Sequence, residues 1–93
     1  MKYKLPINYT KLTTKQRKAV REQYIELQKG LCFECKRHLE GPPLEQGFTI
    51  NTKLFPIGFF NNPIHLHHNH NTGMTIGAAH AKCNAIAWQY FGE

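Results

Sequence analysis

His67-His68-Asn69-His70-Asn71-Thr72-Gly73 sets a cluster of histidines on a turn-forming stretch, and His80-x-x-Cys83 follows it with Asn84 directly behind the last cysteine. Far upstream lies a second pair, Cys32-x-x-Cys35. Two pairs of this kind can converge on one tetrahedral ion, so Cys32, Cys35, His80 and Cys83 are the candidate ligands of a structural zinc. The histidines between the pairs suggest chemistry on a phosphodiester. Hydrolysis needs a positioned water, a base to take its proton and a divalent ion to neutralise the phosphate and leaving oxygen. His67, His68 and Asn84 can supply those positions.

The local pattern places these residues on short elements. Ile64 to His68 has strand character, Asn69 to Gly73 reads as a loop, and Met74 to Gly77 can return antiparallel. Ala78 to Phe91 then reads as a helix with Ile86, Trp88, Tyr90 and Phe91 available for packing and Gly92 near its stop; His80 and Cys83, three apart, share one of its faces. Upstream, Thr13 or Thr14 can cap a helix over Lys15 to Lys29, with Val20, Tyr24 and Leu27 on one face and Gly30 ending it. Residues 31–38 form the knuckle, Gly30-Leu31 leading into the turn that brings Cys32 and Cys35 together. His38 follows closely enough to compete with His80 as fourth ligand. No βαβ pattern surrounds the cysteine pair, which argues against a redox motif.

The stretch from His67 to Asn84 resembles the HNH, or ββα-metal, nucleases, and most closely the phage recombination endonuclease VII group. That group's pattern is similar to Asp-His-x-His-x-Thr-Gly-x-x-Arg-Gly-x-x-Cys-x-x-Cys-Asn, preceded by a Cys-x-x-Cys pair. His68, His70, Thr72, Gly73, Gly77, Cys83 and Asn84 fall on matching positions without a gap, and Cys32 with Cys35 match the upstream pair. The resemblance implies a small α+β, zinc-stapled domain over 1–93, with an arm (1–12), a helix (13–30), a zinc knuckle (31–38) and a ββα-metal motif (64–91). It also implies an endonuclease in which His68 is the general base, His67 and Asn84 hold the catalytic divalent ion, and His70 orients the phosphate or supports the loop.

Three positions depart from that pattern. His67 stands for the aspartate, Ile76 for the arginine and His80 for the third zinc cysteine. A Cys₃His set is ordinary zinc chemistry. Loss of the arginine requires another cation to meet the phosphate. His67 and His68 are also neighbours, which a regular strand would point to opposite faces, with His65 and His67 sharing one; both can meet one phosphate only where the strand ends or bulges.

Working outward, the 93 residues leave room for one domain with a modest core that benefits from a metal staple. Three cysteines and an N-terminus without an apolar run disfavour a secreted disulfide scaffold and point to the cytoplasm, with a bacterial host cell and phage origin implied by the resemblance alone. No stretch is apolar enough for a membrane span. The net charge of +6, concentrated early at Lys2, Lys4, Lys11, Lys15, Arg17, Lys18, Arg21, Lys29, Lys36 and Arg37, favours a polyanion such as DNA.

Residues 1–12 read as an extended arm or loosely attached tail. Between Glu40 and Pro63, short apolar runs amid Gly41-Pro42-Pro43 and Asn61-Asn62-Pro63 predict one or two short strands, with Phe55 to Phe60 packed on the core or, alternatively, touching DNA or a second subunit. A homodimer is one route to double-strand cutting. The competing reading of the whole chain is an inactive zinc-stapled module that binds nucleic acid or protein. An imidazole–amide ligand pair is a poor match for hard Mg²⁺, so Mn²⁺, Co²⁺ or Ni²⁺ is expected to support plasmid cleavage better than Mg²⁺ in a metal titration; Mg²⁺ as the best activator would refute this.

Overall fold

Thr13 opens the first helix with a reciprocal cap: its hydroxyl accepts from the Gln16 backbone N–H at 3.2 Å, and the Gln16 side chain accepts from the Thr13 N–H at 2.9 Å. In the computed structural model, which describes residues 2–45 and 47–91, this helix, α1, spans Thr14–Leu27. It buries Val20 and Tyr24 against the rest of the molecule, whereas Leu27, expected on the same face, is 65% exposed. Gln28 closes the helix, and Gly30, at φ +77°, turns the chain into the knuckle.

The remaining regular elements are β1 (Ile64–His68), β2 (Thr75–His80) and α2 (Ala81–Phe91), which give a small α+β fold with a two-stranded antiparallel sheet. Ile64 pairs with His80 and His67 with Gly77, and then the register shifts so that His68 faces Thr75. That irregularity interrupts strict alternation between the neighbouring histidines, yet it does not bring them to one site. The second strand runs three residues beyond its expected end, and α2 starts at Ala81 rather than Ala78. Ala78 is held extended by hydrogen bonds that outweigh alanine's helix preference: its N–H and C=O both bond the Gln28 side chain at 2.9 Å, and its C=O also accepts from Phe33 N–H at 2.9 Å. His80 is therefore the last residue of the strand, and it does not share a helix face with Cys83. Gly92, the expected stop, lies outside the described residues.

The N-terminal segment is not a loose arm. Asn8 forms a bridge with Met74, Tyr9 N–H donates to Gly73 C=O at 2.7 Å, and Thr75 N–H donates to Ile7 C=O at 2.9 Å. Thr75 Oγ1 also accepts from Ile7 N–H at 3.0 Å and lies 2.8 Å from the Tyr24 hydroxyl, so one buried threonine ties segment, hairpin and α1 together. Gly73 adopts φ +79°, and a Cβ there would come within 2.9 Å of Asn8 Oδ1. Only a glycine leaves the segment room to dock.

Residues 40–63 form turns and a short 3-10 helix at Thr52–Leu54, with no strand among the described residues. They bind the outer side of α2 instead of the core. Gln89 bonds Asn51 N–H at 2.9 Å and Thr49 C=O at 3.0 Å, Phe48 meets Tyr90 with ring centroids 4.7 Å apart, and Phe55 meets Trp88 at 5.5 Å. Two side-chain amide bonds and aromatic edges replace the strand ladder that the short apolar runs had suggested. The core itself is small: Leu12, Val20, Tyr24, Leu39, Leu66, Ala78 and Ala79 surround the three cysteines. No described helix is long and apolar enough to cross a membrane.

Gln28 joins α1, the knuckle and β2 through bonds to Leu31 C=O and both backbone groups of Ala78. Gln28→Ala strands buried polar groups of the strand and should lower unfolding stability by about 2 kcal/mol in urea titration; a change within error would show that the strand does not depend on this amide.

Candidate metal centre and active-site cleft

Leu31 pairs with His38, and inside that small loop Lys36 N–H donates to Cys32 C=O at 3.0 Å while Lys36 itself adopts φ +63°. The loop is thereby tight enough to aim Cys32 and Cys35 the same way. His80 at the end of β2 and Cys83 in the first turn of α2 complete a buried group whose ligand atoms all lie within 4.8 Å of one another. In a tetrahedron of about 2.3 Å metal–sulfur bonds the ligand atoms sit about 3.8 Å apart. The Cys₃His set therefore fits a structural zinc.

Imidazole geometry supports the same assignment. His80 Nε2 lies 2.9 Å from His38 C=O and 3.0 Å from Gly41 C=O. Carbonyls only accept, so Nε2 carries the proton and Nδ1, 3.4 Å from Cys35 Sγ and 3.8 Å from Cys83 Sγ, presents its lone pair to the cluster. His38 enters as a backbone acceptor, not as a competing ligand. Hydrogen bonding with Cys83 lowers the Cys32 thiol to about 4, helped by the backbone of Cys35, His80 and Glu34 and opposed by burial. The same sulfur–sulfur hydrogen bond raises the Cys83 thiol, as do burial and the nearby Cys32 charge. Further thiolates in this pocket repel the first, and a divalent cation removes that conflict.

A cleft of about 570 Å³ opens between the hairpin, α2 and the 54–62 segment. His65, His68, His70 and Asn84 line it, with Tyr9, Arg21 and Trp88. Asn84 Nδ2 lies 3.1 Å from His65 Nδ1. The structure thus brings His68, His70 and Asn84 together as the sequence pattern anticipated, and adds His65.

His67 is taken elsewhere. It is fully buried, and its Nε2 lies 3.0 Å from Glu34 Oε1 in the knuckle, so it links hairpin to knuckle and does not line the cleft. Its neighbour His68 is stacked under Tyr9, with ring centroids 3.8 Å apart and planes 6° from parallel, and Arg17 sits 4.0 Å above the Tyr9 ring. Burial, followed by the nearby His70, lowers the His68 pKa to about 4. Burial likewise lowers His65, against backbone hydrogen bonds with Phe59 and Asn62 that raise it, and Arg21 lowers it further. Burial also lowers His70, whose ring lies 4.6 Å from that of His68. His65 and His68 are accordingly neutral at pH 7, and the His65 Nδ1 lone pair accepts from the Asn84 amide.

Tyr9, Arg21 and His65 are the cleft residues that the sequence reading left out. Arg17 and Arg21, four apart on α1, turn toward the hairpin, while Lys18 stays exposed as a solvated charge. The spacing from Asn84 gave no hint of His65, although its place two residues before His67 on a strand was a usable signal.

No protein-family model, curated protein or solved structure matches this chain. Metal analysis of the purified protein should find about one tightly held zinc per chain, and both chelation and Cys83→Ser should release it and loosen the hairpin–α2 junction, read by near-ultraviolet circular dichroism. Unchanged spectra after full zinc removal would overturn the stapling role.

Proposed function

We propose that this protein is a metal-dependent endonuclease of the HNH (ββα-metal) type that hydrolyses DNA phosphodiesters. The observation that carries the reading is the convergence of His68, His65 and Asn84 with the Arg21 cation on one cleft, formed where a zinc-type cluster joins a hairpin to a helix. The residue pattern from His67 to Asn84 supports it independently.

His68 is the general base. Its ring is held by the Tyr9 stack, and in the free protein it is unprotonated above a pKa of about 4, because burial disfavours the imidazolium. An anionic phosphodiester entering the cleft opposes that effect and raises the proton affinity of His68 as the base is required to act. Arg21 meets the phosphate, supplying the cation that Ile76 does not, and so offsets charge on the non-bridging oxygens.

His65 and Asn84 are the groups that would hold the catalytic ion, with His65 taking the role expected of His67. Backbone hydrogen bonds with Phe59 and Asn62 orient the His65 ring with Nδ1 toward Asn84, the arrangement of an oriented imidazole ligand. Rotation of the Asn84 amide would offer its oxygen to the same point. A divalent ion there, Mn²⁺, Co²⁺ or Ni²⁺ in preference to Mg²⁺, supplies Lewis acidity toward the phosphate and the leaving oxygen. His70, exposed beside His68, contacts the phosphate chain from the loop.

Incubation of the zinc-loaded protein with supercoiled plasmid and a divalent-ion panel should give nicked or linear product. His68→Ala and His65→Ala should each lower the rate by at least about 100-fold while zinc content stays unchanged. Equal cleavage by wild type and His68→Ala would remove the base assignment. Absence of cleavage with every ion would favour the inactive binding module.

A further inference from the structure

One wall of the cleft has no part in the chemistry just described. Phe55 and Phe59, 4.7 Å apart between centroids, meet Trp88 and His65 through edge contacts of 5.5 and 4.5 Å respectively. Ile57 protrudes fully exposed at the rim. From Leu54 to Ile64 the sequence has no charged residue, although the chain as a whole carries +6. The cleft therefore combines Arg21, His68 and Asn84 with a neutral aromatic surface.

We infer that this aromatic wall receives an unpaired nucleobase, so that the proposed nuclease acts on single-stranded or locally unpaired DNA in preference to intact duplex. The inference rests on the proposed function for the position of the phosphate. Trp88 stands one helical turn beyond Asn84 on α2, four residues along, so a nucleotide whose phosphate meets Asn84 has an aromatic surface one turn away. A duplex presents phosphates outward and keeps its bases stacked inside, and a neutral wall offers those phosphates no cation. An unpaired strand can use both halves of the cleft, charge for its backbone and ring faces for its bases. A volume of about 570 Å³ is in the range of small-ligand sites and suits one extruded nucleotide, not a groove-spanning duplex.

Trp88 is the only tryptophan in the chain, so its fluorescence reports on this wall alone. The zinc-loaded full chain, without other added divalent ions, is titrated with an oligodeoxythymidylate single strand and with a duplex of equal length. The single strand should quench Trp88 at a concentration about tenfold lower than the duplex, the effect of roughly one stacked base. Phe55→Ala, at the periphery and away from the zinc ligands, should weaken single-strand binding several-fold with zinc content unchanged. Equal quenching by both forms, binding without a Trp88 response, or a protein-concentration-dependent Trp88 shift without DNA, which would assign the wall to a second copy of the chain, would each overturn the inference. Quenching by single strands without cleavage under any ion would sustain it and end the nuclease reading. Plasmid cleavage with a silent Trp88 would do the reverse.

Discussion

Four ligand atoms drawn from three separate places in the chain constrain everything else in this molecule. Cys32 and Cys35 come from a loop after α1, His80 from the last residue of β2, and Cys83 from the first turn of α2. Among the described residues, the buried core around them consists of Leu12, Val20, Tyr24, Leu39, Leu66, Ala78 and Ala79. A core of that size contributes little hydrophobic free energy, so a metal held by this cluster would do work that a larger domain assigns to packed leucines. Placing ligands on both sides of the His80–Ala81 junction also fixes the angle between sheet and helix, and that angle decides whether Asn84 can reach the hairpin.

The histidines divide according to what holds their second nitrogen. His80 gives Nε2 to backbone carbonyls and turns Nδ1 to the thiols. His67 meets the Glu34 carboxylate and is sealed from solvent, so hairpin and knuckle are joined at a second point beside the cluster. His65 is oriented by the backbone of Phe59 and Asn62, and His68 by a parallel tyrosine. A single short strand thus supplies one residue to structural anchoring and two to the open cleft. The register shift between His67 and His68 lets it do so, since strict alternation would have assigned His65 and His68 to opposite faces.

Much of this was legible in the residues because it is encoded locally. Ligand spacing identified the Cys₃His set, the Thr13 cap marked the start of α1, and turn chemistry at Asn69 to Gly73 located the hairpin. What escaped depends on partners distant in sequence. Ala78, Ala79 and His80 look helical until Gln28 and Phe33 pair with Ala78. Residues 1–12 look unattached because their partners are Gly73, Met74 and Thr75. The short apolar run near Phe55 suggests a strand, yet Phe55 packs on the Trp88 ring of α2. His67 was favoured over His65 by position in the motif, whereas the fold buries His67 beside Glu34 and sets His65 in the cleft beside Asn84.

Docking of residues 7–9 on the hairpin has a consequence for His68 that neither element produces alone. Tyr9 is fixed by the bond from its N–H to Gly73 C=O, and its ring is held between the Arg17 guanidinium and the His68 imidazole. A cation over the tyrosine face is attractive, whereas a second cation on the opposite face would repel the first through the same ring. The sandwich is therefore most favourable with His68 neutral, the state that burial and His70 also select. Three independent features, the stack, the buried position and the neighbouring imidazole, thus act in one direction on one ring. Such agreement keeps a lone pair available in the cleft at neutral pH, and under the proposed nuclease reading an anionic phosphate beside it would strengthen that lone pair as a base.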